Sequence, residues 1–186
     1  MKRVLWLAMF GFGFLAYALN SGDAGAQDKP MAELDGMKAP VPADWKEEKP
    51  ANRMRFLQFR LPRAKDDTMD GELVVFKGFG GSSDANIKRW KEQFLPPDGK
   101  TLDEASKVTE IMIGKNKAYY LDVAGTYKYK DAPFDPKAKT ELRPNQRMLA
   151  VHYEGKDDQF HIKLVGPAKT VEQHKKGFDD WLKNLK

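Results

Sequence analysis

Hydrophobic residues either alternate with polar ones or form short continuous runs, such as Leu73 to Phe76, along six stretches of the chain, and these patterns predict β-strands. The predicted strands are Met54 to Leu61, Glu72 to Phe79, Ser106 to Ile113, Ala118 to Ala124, Gln146 to Glu154 and Gln159 to Val165. Short turns join the strands in pairs, and a short turn joins antiparallel neighbours. The pattern therefore predicts hairpins rather than the parallel sheet of a nucleotide-binding domain.

A first helix is predicted between the second and third strands. It begins after Ser82 or Ser83, whose hydroxyl oxygens can cap a helix, and it ends before Pro96-Pro97. Three apolar residues at spacings of three and four form its buried stripe: Ile87, Trp90 and Phe94.

A second helix is predicted at the end of the chain, after Pro167. Thr170 is its expected cap, with Gln173 placed to complete a capping box. Gly177 lies inside this helix at a cost of about 1 kcal/mol relative to alanine. We therefore expect another element to pack closely there, or tertiary contacts to hold the helix. One face carries Val171, His174, Phe178, Trp181, Leu182 and Leu185.

The order of these elements predicts an α+β fold. A twisted antiparallel sheet of about six strands, built from hairpin pairs and flanked by two main helices, is the expected architecture. The single folded domain is predicted to span residues 45–186, starting at Trp45, the first large apolar residue after a polar segment.

The first 26 residues have the three parts of an export signal. Lys2 and Arg3 precede an uncharged apolar run, and small residues at Ala24 and Ala26 suit a signal peptidase that cleaves before Gln27. The alternative is a retained membrane anchor, but the apolar run is shorter than the ~20 residues that span a bilayer. We expect a periplasmic or extracellular protein that meets the membrane only through this signal before cleavage.

Residues 27–44 are predicted to form a disordered lead-in. The segment is polar and contains Pro30, Pro40 and Pro42, and it shows neither strand nor helix periodicity.

The composition excludes several kinds of functional site. The 186 residues include no Cys, which excludes disulfides, a thiol nucleophile, Cys-bound zinc and iron–sulfur clusters. The sequence also has no hydrolase, P-loop or zinc-protease signature. The net charge of +5 is modest for this length, so nucleic-acid binding is not expected, and no cofactor is predicted.

The last predicted hairpin turns at Gly155 to Asp158, which sets its register. Apolar residues then face each other, with Tyr153 opposite Phe160 as one such pair. The same register places His152 opposite His161 on the other face, next to Glu154 and Lys163. Two imidazoles and a carboxylate are ligands for zinc or copper, which makes His152, His161 and Glu154 a candidate metal site. The alternative is a pair of structural histidines on a polar or helix-edged face.

The segment Gly125 to Asn145 is predicted to be a long loop. It lacks a period and contains three prolines, and loops of this length are usually functional or mobile. Aromatic residues are interleaved with basic ones, which favours docking to an anionic ligand or an envelope partner protein. The candidate partner-binding residues are Lys128, Lys130, Lys137, Lys139 and Arg143.

The C-terminal part of the chain resembles the PsbP/Mog1-like superfamily. The likeness lies in F-H-I-K-L-V-G-P-A-K-T followed by a helix ending in F-D-D-W-L-K-N-L-K, in Pro42-Ala43-Asp44-Trp45 and in Leu61-Pro62. The segments E-L-V-V-F, N-I-K-R-W-K-x-Q-F and R-P-N-x-R-M-L are similar to small secreted bacterial proteins of unknown function. The resemblance covers roughly residues 42 to 186.

This resemblance implies an antiparallel sheet with flanking helices and a binding or accessory role. Some members assist photosystem assembly and one acts on a small GTPase, but no functional residue of those proteins maps onto this chain. The leading hypothesis is a secreted, non-enzymatic envelope protein that binds an unidentified partner or ligand. An envelope enzyme or metal-binding protein using the His152/His161 hairpin is the alternative, and a structural or stress-related envelope protein is a third.

Overall fold

The structure is a computed structural model that describes residues 30–131, 135 and 137–186. Within these residues the chain forms ten strands and two helices. Their bounds are β1 Met31–Leu34, β2 Met37–Pro40, β3 Lys46–Glu47, β4 Arg55–Leu61, β5 Gly71–Lys77, α1 Ser83–Lys91, β6 Phe94–Leu95, β7 Ser106–Ile113, β8 Asn116–Tyr129, β9 Glu141–Glu154, β10 Gln159–Pro167 and α2 Ala168–Lys183.

Eight strands form one antiparallel sheet in the order β3-β4-β5-β10-β9-β8, and both β6 and β7 pair with β8 at its far side. Strands β1 and β2 form a separate hairpin. The predicted α+β class, with an antiparallel sheet and two helices, is confirmed, and all six predicted strands are present. The two extra strands of the sheet, β3 and β6, have only two residues each, which is too short for an alternating pattern to show.

The register predicted for the last hairpin is confirmed. Tyr153 pairs with Phe160 and His152 with His161, and the backbone N–H of Gly155 donates to the carbonyl of Asp158 across the turn at 2.9 Å. A slip by one residue moves every buried side chain to the opposite face, so burial of one face specifies this register strongly.

The prediction of a loop from Gly125 to Asn145 is wrong at both ends. Strand β8 continues to Tyr129 and β9 starts at Glu141, so the ends of the two strands stay paired with each other in this segment and form an arm. A bulge interrupts their pairing, with Asn145 in a left-handed conformation at φ 55°. The arm has little core to bury, and its residues therefore show no alternation that could reveal the strands in the sequence.

Ile87 and Trp90 of the first predicted stripe lie on α1, but Phe94 lies on β6, and both helices differ from the prediction at their ends. Ser82 caps α1, accepting from the backbone N–H of Ala85 at 3.3 Å, and the helix ends at Lys91, before the predicted prolines. Helix α2 begins two residues before Thr170, whose predicted capping role is wrong. The Thr170 hydroxyl instead donates to the carboxylate of Asp67 at 2.6 Å, which ties α2 to the loop after β4.

Gly177 faces a close neighbour, as expected from its position inside α2. A methyl group at this position would lie 3.6 Å from Cγ of Pro42 and 4.0 Å from Nε1 of Trp45. The segment before β3 therefore packs directly on α2.

The predicted disordered lead-in over residues 27–44 is wrong for the part that the structure describes. Asp35 and Gly36 form the turn of the β1–β2 hairpin, both with positive φ. Close to this turn the hairpin is tied to the segment after α2, because the N–H of Lys38 donates to the carbonyl of Lys186 at 2.8 Å. Four of its small or apolar side chains are buried: Ala32, Leu34, Ala39 and Val41.

The folded domain therefore includes described residues before Trp45, from Met31 in β1 onward. The predicted signal, residues 1–26, and its cleavage point lie outside the described residues. In the part of the chain that the structure covers, no helix has the length and apolar character needed to cross a membrane.

Each face of the sheet has its own apolar core. The larger core lies under α2 and the β1–β2 hairpin and contains 23 buried residues, whereas the smaller one lies under α1 and contains seven. The smaller core consists of Ile87, Trp90, Phe94, Leu121, Val123, Met148 and Ala150.

Candidate functional site

The arm formed by the ends of β8 and β9 carries all five predicted partner-binding residues. Lys128 lies on β8, Lys130 follows that strand, and Arg143 lies on β9. Lys137 and Lys139 lie in the connection between the strands, and both are exposed. The structure thus collects on one projecting arm the residues that the sequence placed in a loop.

Strand β6 anchors the arm to the domain. The backbone N–H of Lys128 donates to the carbonyl of Gln93 at 2.8 Å, and the ring of Tyr127 packs on Phe94 with centroids 5.1 Å apart. At the base of the arm, a side chain on Gly125 would lie 2.2 Å from the carbonyl oxygen of Leu95. Only glycine allows so close a backbone approach, which sets the direction of the arm.

Arg143 has a different role from the four lysines. Its guanidinium donates to both carboxylate oxygens of Glu141, at 2.9 and 3.0 Å, and stacks on the ring of Tyr129 at 3.5 Å from the centroid. The hydrogen bonds from Arg143 lower the pKa of Glu141. Arg143 therefore stiffens the arm, and its charge is largely compensated within it.

The four lysines of the arm are not compensated in this way. Among the described residues, Lys128, Lys130, Lys137 and Lys139 make no ion pair. Leu142, on the strand opposite Lys128, leaves 56% of its surface exposed, and Leu95 on β6 leaves 41% exposed. The arm thus offers uncompensated ammonium groups next to exposed apolar side chains.

The predicted histidine pair is also brought together. His152 and His161 face each other on β9 and β10 with ring centroids 5.2 Å apart, and both are almost fully buried. Oε1 of Glu154 lies 3.4 Å from Nε2 of His152. The ring of His161 also meets the edge of Trp90 on α1, at 5.2 Å, so the pair lies on the helix-edged face of the sheet.

The surroundings of the pair are positive. Burial, followed by the charges of His152, Arg89 and Lys163, lowers the pKa of His161 to about 4. Burial also lowers the pKa of Lys163 to about 8, and its ammonium donates to Oε1 of Gln93 at 2.9 Å. A cation bound here would meet this positive field.

A metal also needs more ligands than two imidazoles. Nδ1 of His152 and Nε2 of His161 are buried and have no hydrogen-bond partner in the part of the chain that the structure describes. However, within the described ranges no group of three or more His, Asp or Glu side chains is arranged to hold a metal ion. Metal binding by His152, His161 and Glu154 stays a prediction, with electrostatics opposed to it.

Sequence reasoning missed one concave site, a cleft of about 630 Å³ between the β1–β2 hairpin, β4 and the β9–β10 turn. The cleft exists because the predicted lead-in folds onto the sheet. The turn residue Asp35 accepts from the Tyr153 hydroxyl at 3.0 Å and from the backbone N–H of Lys156 at 2.9 Å. An Asp-Gly pair between two short apolar alternations is the hairpin signal that could have revealed it.

No protein-family model matches this sequence, and no curated protein is similar to it. Among solved structures, the chain is similar to LpqN of Mycobacterium tuberculosis, described as involved in cell envelope biogenesis. That match has 12% identity over 78% of each chain and a TM-score of 0.44. It is also similar to the cyanobacterial PsbP protein, CyanoP, of Synechocystis, with 12% identity over 89% of this chain and 95% of that one and a TM-score of 0.50. At such identities a likeness concerns the fold alone, and the likeness to CyanoP confirms the PsbP-like fold implied by the sequence resemblance.

Proposed function

We propose that this chain is an exported, non-enzymatic protein of the cell envelope that binds an anionic partner through the β8–β9 arm. Export rests on the three-part signal in residues 1–26. The non-enzymatic role rests on the absence of a catalytic signature from the sequence and on the absence of Cys.

The uncompensated lysines of the arm carry this proposal. Many other lysines of the described chain are already paired, such as Lys91 with Asp103 at 2.8 Å and Lys175 with Asp179 at 2.6 Å. Lys128, Lys130, Lys137 and Lys139 instead keep their charge available on one projecting element. Complementary charge at the rim of an interface raises the association rate and makes binding sensitive to salt.

The exposed leucines support a partner rather than a free ion. Leu142 and Leu95 add apolar surface next to the lysines, and an interface core requires such surface. The anchoring by β6 holds the arm in place, which reduces the entropy that binding must remove.

The experiment is affinity capture from the native envelope followed by salt elution. We compare the exported protein with a variant in which Lys128, Lys130, Lys137 and Lys139 are replaced by Gln. Since each exposed ion pair contributes about 0.2 to 1 kcal/mol, losing four should weaken capture roughly tenfold and flatten its dependence on salt. The intact mass of the same preparation shows whether cleavage occurs before Gln27.

A matched control removes the same charge elsewhere. Lys65, Lys100, Lys107 and Lys115 are exposed, and none makes an ion pair among the described residues. Their replacement by Gln should leave capture nearly unchanged. Equal weakening by both variants would assign the effect to net charge, and undiminished capture by the arm variant would refute the proposal.

A further inference from the structure

The cleft under the β1–β2 hairpin combines an aromatic floor with an acidic rim, and it is independent of the arm. Phe56 leaves 41% of its surface exposed and packs edge-on against the buried ring of Phe160, with centroids 6.2 Å apart. The volume of about 630 Å³ lies within the range of small-molecule sites.

One ammonium group already lies on this floor. Nζ of Lys77 is 5.6 Å from the ring centroid of Phe56 and 5.9 Å from that of Phe160, and it pairs with the carboxylate of Asp158 at 3.1 Å. Aromatic faces attract cations through the quadrupole of the ring. The contact shows which chemistry this floor stabilises, an ammonium group on an alkyl stem.

The rim has the opposite charge from the whole protein. Five carboxylates and two ammonium groups line the cleft, whereas the chain as a whole has a net charge of +5. Low-dielectric walls concentrate the field in a cleft, so this concavity attracts cations to a protein that otherwise repels them. The five carboxylates belong to Glu33, Asp35, Glu47, Asp157 and Asp158.

Two of the carboxylates are available to a ligand. Glu33 pairs with Lys38 at 3.4 Å, Asp35 holds the turn, and Asp158 holds Lys77. Glu47 and Asp157, by contrast, make no ion pair or hydrogen bond with another described side chain. They approach the cleft from different elements, β3 and the β9–β10 turn.

We propose that this cleft binds the primary alkylammonium group of a basic ligand. The carboxylates of Glu47 and Asp157 form ion pairs with the ammonium group of the ligand, and its alkyl stem packs against the exposed ring of Phe56. Two sources carry this chemistry, a free polyamine and a lysine side chain of a peptide.

Calorimetric titration at low salt tests the proposal with two probes, spermidine and an N-acetylated tetralysine amide. We expect saturable binding of at least one probe below about 1 mM. Binding of spermidine alone assigns the site to free polyamines, binding of the peptide alone assigns it to lysyl peptides, and binding of both supports the shared chemistry. Absence of saturable binding by both probes overturns the proposal.

Variants locate the binding. Replacing Glu47 by Gln together with Asp157 by Asn should weaken affinity at least fivefold, and Phe56→Ala should weaken it at least threefold with no change in charge. The matched control, Asp98→Asn with Glu110→Gln, removes the same charge away from the cleft and should change affinity less than twofold. Equal losses in the control and the cleft variant would overturn the proposal, and the four-lysine arm variant should keep full affinity.

Discussion

The two faces of the eight-stranded sheet are covered in different ways. The face under α2 is closed by a 16-residue helix and by the β1–β2 hairpin, and it encloses a continuous apolar core. The opposite face is covered by α1, which has only nine residues and packs on β8 and β9, with Trp90 also contacting His161 on β10. His161 and Lys163 lie on that second face, at the edge of the smaller core.

Both faces contain a buried histidine, but the two differ in their partners. His174 on α2 has Nδ1 3.1 Å from the carboxylate of Asp44 and Nε2 2.8 Å from the carbonyl of Pro62, whereas Nε2 of His161 has no hydrogen-bond partner among the described residues. A complete cover excludes water, so a charged group beneath it loses hydration without compensation. A short cover leaves polar groups at its edge, where the ammonium group of Lys163 donates to Gln93 and the ring of His161 packs against Trp90. We therefore expect Leu34, under the complete cover, to contribute to stability through packing, and the unpartnered His161 to make stability on the α1 side depend on pH.

The largest expected effect is a loss of stability when the β1–β2 hairpin no longer fills the core on the α2 face. Leu34 is fully buried, so Leu34→Ala should lower the free energy of unfolding by about 3 kcal/mol through lost contacts and a cavity. Urea denaturation measures this loss. Met31→Ala, on the same strand but with 54% of its surface exposed, is the control and should cost less than about 0.5 kcal/mol. Equal and small losses in both variants would mean that residues 31–40 contribute nothing to the core.

The second largest expected effect is a loss of stability at low pH, caused by His161 on the α1 face of the sheet. The pKa of His161 is about 4 in the folded protein and about 6.5 when unfolded. The unfolded chain therefore binds more protons between these values, so stability is complete above about pH 6.5 and is lost as the pH falls toward 4. The loss should reach about 2 to 3 kcal/mol, since one pKa unit corresponds to about 1.4 kcal/mol.

NMR titration of the His161 ring and denaturation at pH 7 and pH 4 measure this effect. His161→Phe removes the titrating group, so this variant should lose less stability between the two pH values than the unaltered protein. A ring that titrates near 6.5 in the folded state would contradict the contrast between the two faces.

The smallest expected effect is a gain in stability from a substitution in α2. A methyl group on Gly177 would make an ordinary contact with Pro42 at 3.6 Å, so Gly177→Ala should raise stability by about 0.5 to 1 kcal/mol through helix propensity. Thermal denaturation checks this gain. Gly166→Ala is the contrasting variant, because its methyl group would lie 2.9 Å from Cα of Gly71, and it should destabilise. A loss of stability in Gly177→Ala would show that α2 packs too tightly to accept a methyl group.

The six longer strands, the apolar face of α2 and the register of the last hairpin could all be predicted from the sequence. Each depends on a local pattern that burial of one face imposes, a period of two in strands and of 3.6 in helices. The Ser82 cap is also local, because it joins residues three positions apart. For the same reason, the sequence alone placed His152 opposite His161.

Tertiary structure decided the features that depend on residues distant in the chain. Asp35 meets Tyr153 and Asp67 meets Thr170, contacts across more than 100 residues that no local period encodes. The contact of Asp35 holds the hairpin over the sheet and so forms the acidic cleft. The contact of Asp67 takes the place of the predicted Thr170 cap of α2. The arm depends on distant pairing as well, since β6 pairs with β8 at Thr126 and Tyr127. A pattern of hydrophobic residues records which side chains are buried but not which distant segment covers them, so the candidate sites emerged only from the assembled fold.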